Sequence, residues 1–252
     1  MGFSKEKILY LLFLFSLAAK SAAQVGFKCT QNPSSTCNSL VGYKTPNATT
    51  LSHLQNFFGV KDFNSLLGAN NLPFFTPSKY TVKKDAVVKI PFPCKCSNGT
   101  GVSNKKPIYT IQRGDWLDHI ARDVFLALVT YQQIVAVNNI TDGNKILVGQ
   151  ELQIPLPCSC DDVGGEKVVH YGHVVESGSS LDLIAQEYGT TMTTLMTLNS
   201  IAKASSLMAG QVLDVPLKGT ESPDDNYASR ISLSWSLLRI SLPLIMLSVH
   251  LN

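Results

Sequence analysis

Six cysteines fall between Cys29 and Cys160, and four of them form the C-x-C pairs Cys94/Cys96 and Cys158/Cys160. Thiols so spaced can hold zinc or close disulfides, and the compartment decides between the two. The N-terminus carries Lys5, Glu6 and Lys7, an apolar run over 8–19, and Ser21-Ala22-Ala23 before Gln24. A charged start, an apolar run too short to span a bilayer and small residues at its end read as a secretory signal peptide over 1–23. In a secreted chain an even cysteine count implies disulfides. Each C-x-C pair is expected to reach two different partners, its cysteines pointing to opposite sides of a strand.

The remaining groups form no catalytic constellation. His53, His119, His170, His173 and His250 lack metal-ligand spacing such as H-E-x-x-H. Asp115 and Asp118 are close in sequence, but a carboxylate pair that hydrolyses glycosides needs a deep cleft in a larger scaffold. Capping of a helix start accounts for both. The chain is therefore expected to be no enzyme and to carry no metal or cofactor.

Charge narrows the partners. Of 21 basic and 18 acidic residues, the signal segment removes Lys5, Lys7, Lys20 and Glu6. The C-terminal end shows polar residues over 223–229, then an apolar tail interrupted by Arg239, Pro243 and His250. Small residues, a polar spacer and an apolar tail match a GPI-anchor signal, with Asn226 as the ω site and residues 218–252 as spacer and signal. No Lys/Arg cluster follows the tail, which argues against a stop-transfer helix. Cleavage after Asn226 also removes Arg230 and Arg239, leaving 16 basic and 17 acidic residues. No basic stripe remains for a nucleic acid, and a near-neutral surface suits a neutral ligand. The sequons at Asn47, Asn98 and Asn139 predict surface glycans.

The elements that position these groups repeat along the chain. Ile90-Pro-Phe-Pro-Cys94-Lys-Cys96 recurs as Ile154-Pro-Leu-Pro-Cys158-Ser-Cys160, and Val215-Pro-Leu217 closes a third unit without cysteines. The segment 114–121 aligns with 178–185, Gly149-Gln150 with Gly210-Gln211, and 66–72 with 134–140. Each unit reads as strand, helix, helix, strand. In the second, 108–111 alternates as a strand, Asp115 is the predicted N-cap with Asp118 three residues on, and Leu117, Ile120, Ala121 and Val124 share a helix face. A helix over 131–137 ends at Asn138-Asn139, and 151–154 is the closing strand. The third unit repeats this with strands at 173–176 and 212–215, Ser179 as N-cap, and a second helix over 192–198. The first is the most divergent, with parts at 40–43, 50–58, 63–69 and 86–90. The fold class is α+β: three small βααβ units over 24–93, 106–156 and 169–217, packed into one disulfide-stapled ectodomain. Units of this size are marginal by burial alone, so staples are expected.

These residues resemble the LysM domain of plant extracellular receptors. Leu40-Val-Gly-Tyr43, Asn47-Ala-Thr-Thr-Leu51, Leu67-Gly-Ala-Asn-Asn-Leu-Pro73 and Ser97-Asn-Gly-Thr-Gly-Val-Ser103 are similar to the chitin-elicitor-binding, GPI-anchored LysM proteins in particular. The resemblance covers about residues 25–218; relatives usually continue with a longer cysteine-containing segment, whereas this chain stops soon after Lys218. It implies the pairing Cys29–Cys96, Cys37–Cys160 and Cys94–Cys158. It implies a role at the outer face of the plasma membrane in plant innate immunity, binding chitin oligosaccharides and signalling through a LysM receptor kinase co-receptor, with a ligand-bridged homodimer as a further assembly. Peptidoglycan is the alternative ligand, and a cell-wall glycan hydrolase the alternative of another class. The implied groove lies between two loops of the second unit: Gln112, Arg113, Gly114, Asp115 and Trp116 on one side, and Asn139, Ile140, Thr141, Asp142, Gly143, Asn144 and Lys145 on the other. Recognition of an amide-rich neutral sugar needs backbone N–H and C=O groups and apolar contact. Trp116 is placed either against the sugar or over the unit's own core, and the Asn139 sequon sits at the groove's edge.

Overall fold

A computed structural model describes residues 26–30 and 34–218. The signal segment, the ω site and the tail lie outside the described residues. Among the described residues no helix is long and apolar enough to cross a membrane.

The chain runs β1 (Phe27–Lys28), β2 (Thr36–Lys44), β3 (Thr49–Thr50), α1 (Leu51–Phe58), α2 (Phe63–Ala69), β4 (Thr81–Val82), β5 (Val87–Ser97), β6 (Thr100–Ser103) and β7 (Ile108–Thr110). It continues with α3 (Leu117–His119), a π turn (Ile120–Val124), α4 (Tyr131–Val137), β8 (Glu151–Gln153), β9 (Pro157–Cys158), β10 (Val168–Val174), α5 (Leu181–Tyr188), α6 (Met192–Leu198), a 3₁₀ turn (Ala204–Ser206) and β11 (Val212–Lys218). The architecture is α+β, three helix pairs around one main sheet and two small ones.

The main sheet has the order β1-β6-β5-β2-β10-β11, with β9 added on β6. A parallel pairing joins β2 to β10, Tyr171 opposite Leu40 and Gly172 opposite Val41. The first and third helix pairs thus share a continuous sheet. The second keeps its own two strands apart, β7 paired with β8.

Three disulfides close the described chain: Cys29–Cys96, Cys37–Cys160 and Cys94–Cys158. Cys94 and Cys96 do not point to opposite sides. They are two residues apart on β5, hence on one face, and both are buried while Lys95 between them is exposed. They reach different partners all the same, Cys94 joining Cys158 and Cys96 joining Cys29. The cysteine sulfurs also cluster closely enough to resemble metal ligands, but each is bonded to another sulfur and none is free.

The helix pairs are held by one hydrogen-bond frame used three times. After each second helix an asparagine side chain ties the helix end to the closing strand. Asn70 Nδ2 donates to Leu66 O and Lys89 O, both at 2.8 Å, and its Oδ1 accepts from Lys89 N at 2.9 Å. Asn138 does the same to Ile134 O, Gln153 O and Gln153 N, each at 2.8 Å. Asn199 does so to Leu195 O, Asp214 O and Asp214 N at 2.8, 2.9 and 2.7 Å. The next residue is left-handed each time: Asn71, Asn139 and Ser200 have φ of 53°, 51° and 53°. A second link joins the end of each opening strand to the turn before the closing one, through Thr45 with Ala86, Ile111 with Gln150, and Val175 with Gln211, each at 2.9 Å.

The first helix differs between pairs. Thr50 and Ser180 cap α1 and α5 by accepting from His53 N and Leu183 N. The cap of α5 is therefore Ser180 and not Ser179, because Ser180 is the last extended residue, φ −127° and ψ 158°. In the second pair Trp116 holds the cap position and gives no side-chain cap, so Asp115 is not the N-cap, and Asp118 pairs with Arg122 instead. Gly59 and Gly189 end α1 and α5 in the left-handed conformation. Phe125 stands at the equivalent place and closes a π turn, its N–H donating to Ile120 O.

That turn delivers Phe125 into the core. Its ring stacks on Phe57 at 5.3 Å and meets Tyr109 edge-on at 5.9 Å, while Tyr43 Oη donates to Val124 O at 3.1 Å. The first and second helix pairs thus share one apolar core. The third has its own, to which Leu40 and Ala69 contribute.

Candidate carbohydrate-binding site

Two loops of the second helix pair meet at one end. The first leaves β7 and is pinned at its start by Ile111 N to Gln150 O and by Gly149 N to Ile111 O, both 2.9 Å. Gly114 has φ +92°, and a Cβ added there would meet nothing within 4 Å, so its need is conformational and not spatial. Asp115 closes the turn. Its Oδ2 accepts from Gln112 N at 2.7 Å and from Tyr109 Oη at 2.8 Å, and its Oδ1 lies 3.6 Å from His119 Nε2.

With a side chain only 7% exposed, Asp115 is committed to the loop and is not a free ligand acceptor. Gln112 is also occupied, its Nε2 donating to Thr110 O at 2.7 Å. Burial, then the bond to Asp115 and its charge, raise the Tyr109 phenol far above its ordinary value. Tyr109 therefore remains a donor at any pH the protein meets.

Arg113 and Trp116 face solvent. Trp116 is 59% exposed, which removes the reading in which it covers the unit's own core. Its ring centroid lies 5.0 Å from that of His119, whose Nδ1 is 2.9 Å from Asp123 Oδ2. The indole thus lies beside the His119 ring and stays largely exposed.

The second loop follows α4. Asn139 is exposed, and Ile140 is half-buried with its N–H donating to Val135 O at 3.1 Å. Asp142 folds the loop, accepting from Asn144 N at 3.0 Å and pairing with Lys145 Nζ at 3.2 Å. Thr141, Gly143, Asn144 and Lys145 are exposed. The second loop comes close to the start of α3 at Gly143, where a Cβ would lie 3.3 Å from Leu117 Cδ1. Sequence reasoning missed His119 and Tyr109, which shape the first loop. Their signal was weak: a histidine three residues after Trp116 and a tyrosine inside a strand. It also missed Leu147 and Val148, 70% and 68% exposed beyond the second loop, an apolar pair in an otherwise polar turn.

The arrangement offers exposed loop residues, a largely exposed indole and a paired Asp142 and Lys145. It holds no partnered nucleophile and base. A depression of about 410 Å³ opens elsewhere, on the third helix pair.

The family profile described as LysM domain matches residues 109–155 and 173–216. The chain is 51% identical over 212 residues to LysM domain-containing GPI-anchored protein 2 of Arabidopsis thaliana, covering 84% of this chain and 60% of that one. It is 47% identical over 196 residues to the chitin elicitor-binding protein of Oryza sativa subsp. japonica, covering 78% of this chain and 55% of that one. The chain thus spans somewhat over half the length of these relatives. Among solved structures, the ectodomain of a receptor-like kinase superposes with a TM-score of 0.60 at 21% identity, covering 74% of this chain and 94% of that one. The LYK3 ectodomain does so with 0.58 at 22% identity, covering 76% and 93%. At such identities these two likenesses speak for the fold alone. On the profile match this chain carries LysM domains, and over most of its length it is similar to LysM domain-containing proteins of plants.

Proposed function

We propose that the chain is a cell-surface receptor component that binds chitin oligosaccharides and catalyses nothing. In this reading it has three LysM units, over 24–93, 106–156 and 169–217, and the first is a diverged member. What supports the first unit is the shared frame: Asn70 ties helix to strand as Asn138 and Asn199 do.

The observation that carries the ligand assignment is the exposed indole of Trp116 beside two exposed loops, the second with its Asp142 and Lys145 paired. A sugar face packs on an aromatic ring, and acetamides pair with loop backbone. The ligand residues are Arg113, Gly114 and Trp116 with Asn139, Ile140, Thr141, Gly143, Asn144 and Lys145, while Gln112, Asp115 and Asp142 hold the loops in shape. The name of the rice relative as a chitin elicitor-binding protein supports the choice of polymer. GPI anchoring in the Arabidopsis relative supports a lipid anchor at the outer face of the plasma membrane, with signalling passed to a LysM receptor kinase. Calorimetric titration of the secreted chain with a chitin octamer tests the reading. Saturable heat is expected; no heat, or heat only with muropeptides, would sink it.

A further inference from the structure

The near-neutral total of the chain hides a split. Residues 24–107 hold ten lysines and two acids, a net charge of +8, whereas residues 108–218 hold six basic and twelve acidic residues, a net charge of −6. Of those ten lysines, Lys44 alone forms an ion pair among the described residues, with Glu176 at 3.2 Å. The basic half also carries two adjacent exposed rings, Phe74 at 65% and Phe75 at 90%.

The loop between α2 and β4 holds these rings out. Phe74 and Phe75 take the two central positions of a turn closed by Thr76 N to Pro73 O at 2.9 Å, and a second turn follows, closed by Tyr80 N to Pro77 O at 2.9 Å. Both ends of the loop are tied down, by Leu72 N to Leu67 O at 2.9 Å, Ser52 N to Ser78 O at 2.8 Å and Leu51 N to Tyr80 O at 3.1 Å. A fixed backbone therefore presents the rings to solvent. Lys79, Lys83 and Lys84 follow within nine residues of Phe75, all exposed. Lys83 and Lys84 stand where the second unit has Leu147 and Val148, since Ala86 N donates to Lys83 O as Gln150 N does to Leu147 O. We propose that this tip of the first unit docks on an anionic lipid bilayer, with Phe74 and Phe75 entering the headgroup boundary and Lys79, Lys83 and Lys84 resting on lipid phosphates.

Shape and charge select that partner. Aromatic anchors of protein interfaces fill pockets. Two neighbouring rings on a projecting turn suit a layer that yields to them, and a bilayer boundary accepts apolar side chains to a depth of about 5–10 Å. Unpaired lysines beside the rings match the negative potential of such a layer. A second copy brought onto the same face would set lysine against lysine.

The test is flotation of the full secreted chain, disulfides and glycans intact, with vesicles of phosphatidylcholine containing phosphatidylinositol and with vesicles of phosphatidylcholine alone. Saturable binding to the anionic vesicles, weakened by salt, is expected. Phe74→Ser with Phe75→Ser should weaken it about tenfold or more. Lys79→Glu with Lys83→Glu and Lys84→Glu should weaken it about a hundredfold, at about fivefold per lysine. All five positions are exposed, so both variants should keep the wild-type melting temperature. Any contribution of the C-terminal tail is common to every variant and cancels in the comparison. No flotation with anionic vesicles, equal flotation with neutral ones, or flotation unchanged in both variants overturns the proposal. A salt-sensitive dimer that forms without vesicles and that the lysine variant dissociates gives the face to a second copy and overturns it too. None of these outcomes bears on the chitin reading, because the second unit is unchanged.

Discussion

Replacing Asn138 with alanine removes three hydrogen bonds at 2.8 Å: two donated by Nδ2 to Ile134 O and Gln153 O, and one accepted from Gln153 N. Ile134 O keeps a partner, because Asn138 N also donates to it at 3.1 Å. Gln153 loses both of its bonds on that side, and each stranded backbone group costs about 1–3 kcal/mol. Partial burial puts the sum in the lower half of the resulting range, about 2–4 kcal/mol. In a domain of this size that lowers the melting temperature by roughly 4–16 °C. Asn70→Ala and Asn199→Ala remove the same geometry at Lys89 and Asp214, so each should cost a similar amount. Asn138→Asp is a sharper version: its carboxylate can still accept from Gln153 N but faces two carbonyls that need a donor. It should be at least as costly at neutral pH and partly relieved as pH falls toward about 4, because two facing carbonyls raise its folded pKa and the protonated acid donates. Thermal and urea unfolding of the oxidised chain measure all four variants. A cost below about 0.5 kcal/mol for Asn138→Ala, the lower bound for a single net hydrogen bond, would refute the frame as a source of stability. A small cost at Asn70 alone would refute the equivalence of the first unit.

The remaining predictions are shorter. His170 places Nδ1 2.8 Å from Asp214 Oδ1 and Nε2 2.7 Å from Asp161 O, so both nitrogens must donate and the ring is an imidazolium. Burial lowers its pKa, but the bond to Asp214 and its charge, with Asp161, raise it further, for a net rise. The stability this pair contributes is therefore full below about pH 6.5 and is lost as pH rises through the higher folded value; melting temperature should fall over that window in the wild type and change much less in Asp214→Asn. Trp116→Ala should leave the melting temperature within about 2 °C, since the ring is 59% exposed, while weakening octamer affinity about tenfold or more. Asn139→Gln, which deletes the sequon, should tighten octamer binding by calorimetry if the glycan crowds the second loop. Cys37→Ser with Cys160→Ser opens a loop of sequence separation 123 and should cost about 4–5 kcal/mol on the chain-entropy relation, read by urea unfolding.

Much of this protein is legible in its sequence. The helices over 63–69, 131–137 and 192–198 follow from apolar spacing between polar caps, a short-range matter. The asparagines after them were visible as repeat markers, though their role was not: Asn138 is not left-handed, as a simple helix stop would be, and works by bonding a strand fifteen residues away. The first loop was legible as a loop but not as a site. Asp115 looked like a helix cap because capping is the local option for an aspartate at that position. A tyrosine hydroxyl and the Gln112 amide won it instead, and only the fold brings Tyr109 there.

The sequence by itself determined the repeat, the α+β class and the disulfide chemistry of the cysteines, since periodicity, composition and spacing are local properties. Tertiary structure alone decided the rest. The parallel pairing of β2 with β10 makes the first and third helix pairs one sheet, and Phe57 and Phe125 make the first and second one core. Contacts between residues so far apart in the chain, Leu40 with Tyr171 and Phe57 with Phe125, carry no local signature, because any apolar residue can pack against another until the chain's closure selects which ones meet. The same selection leaves Trp116 outside the core and exposed.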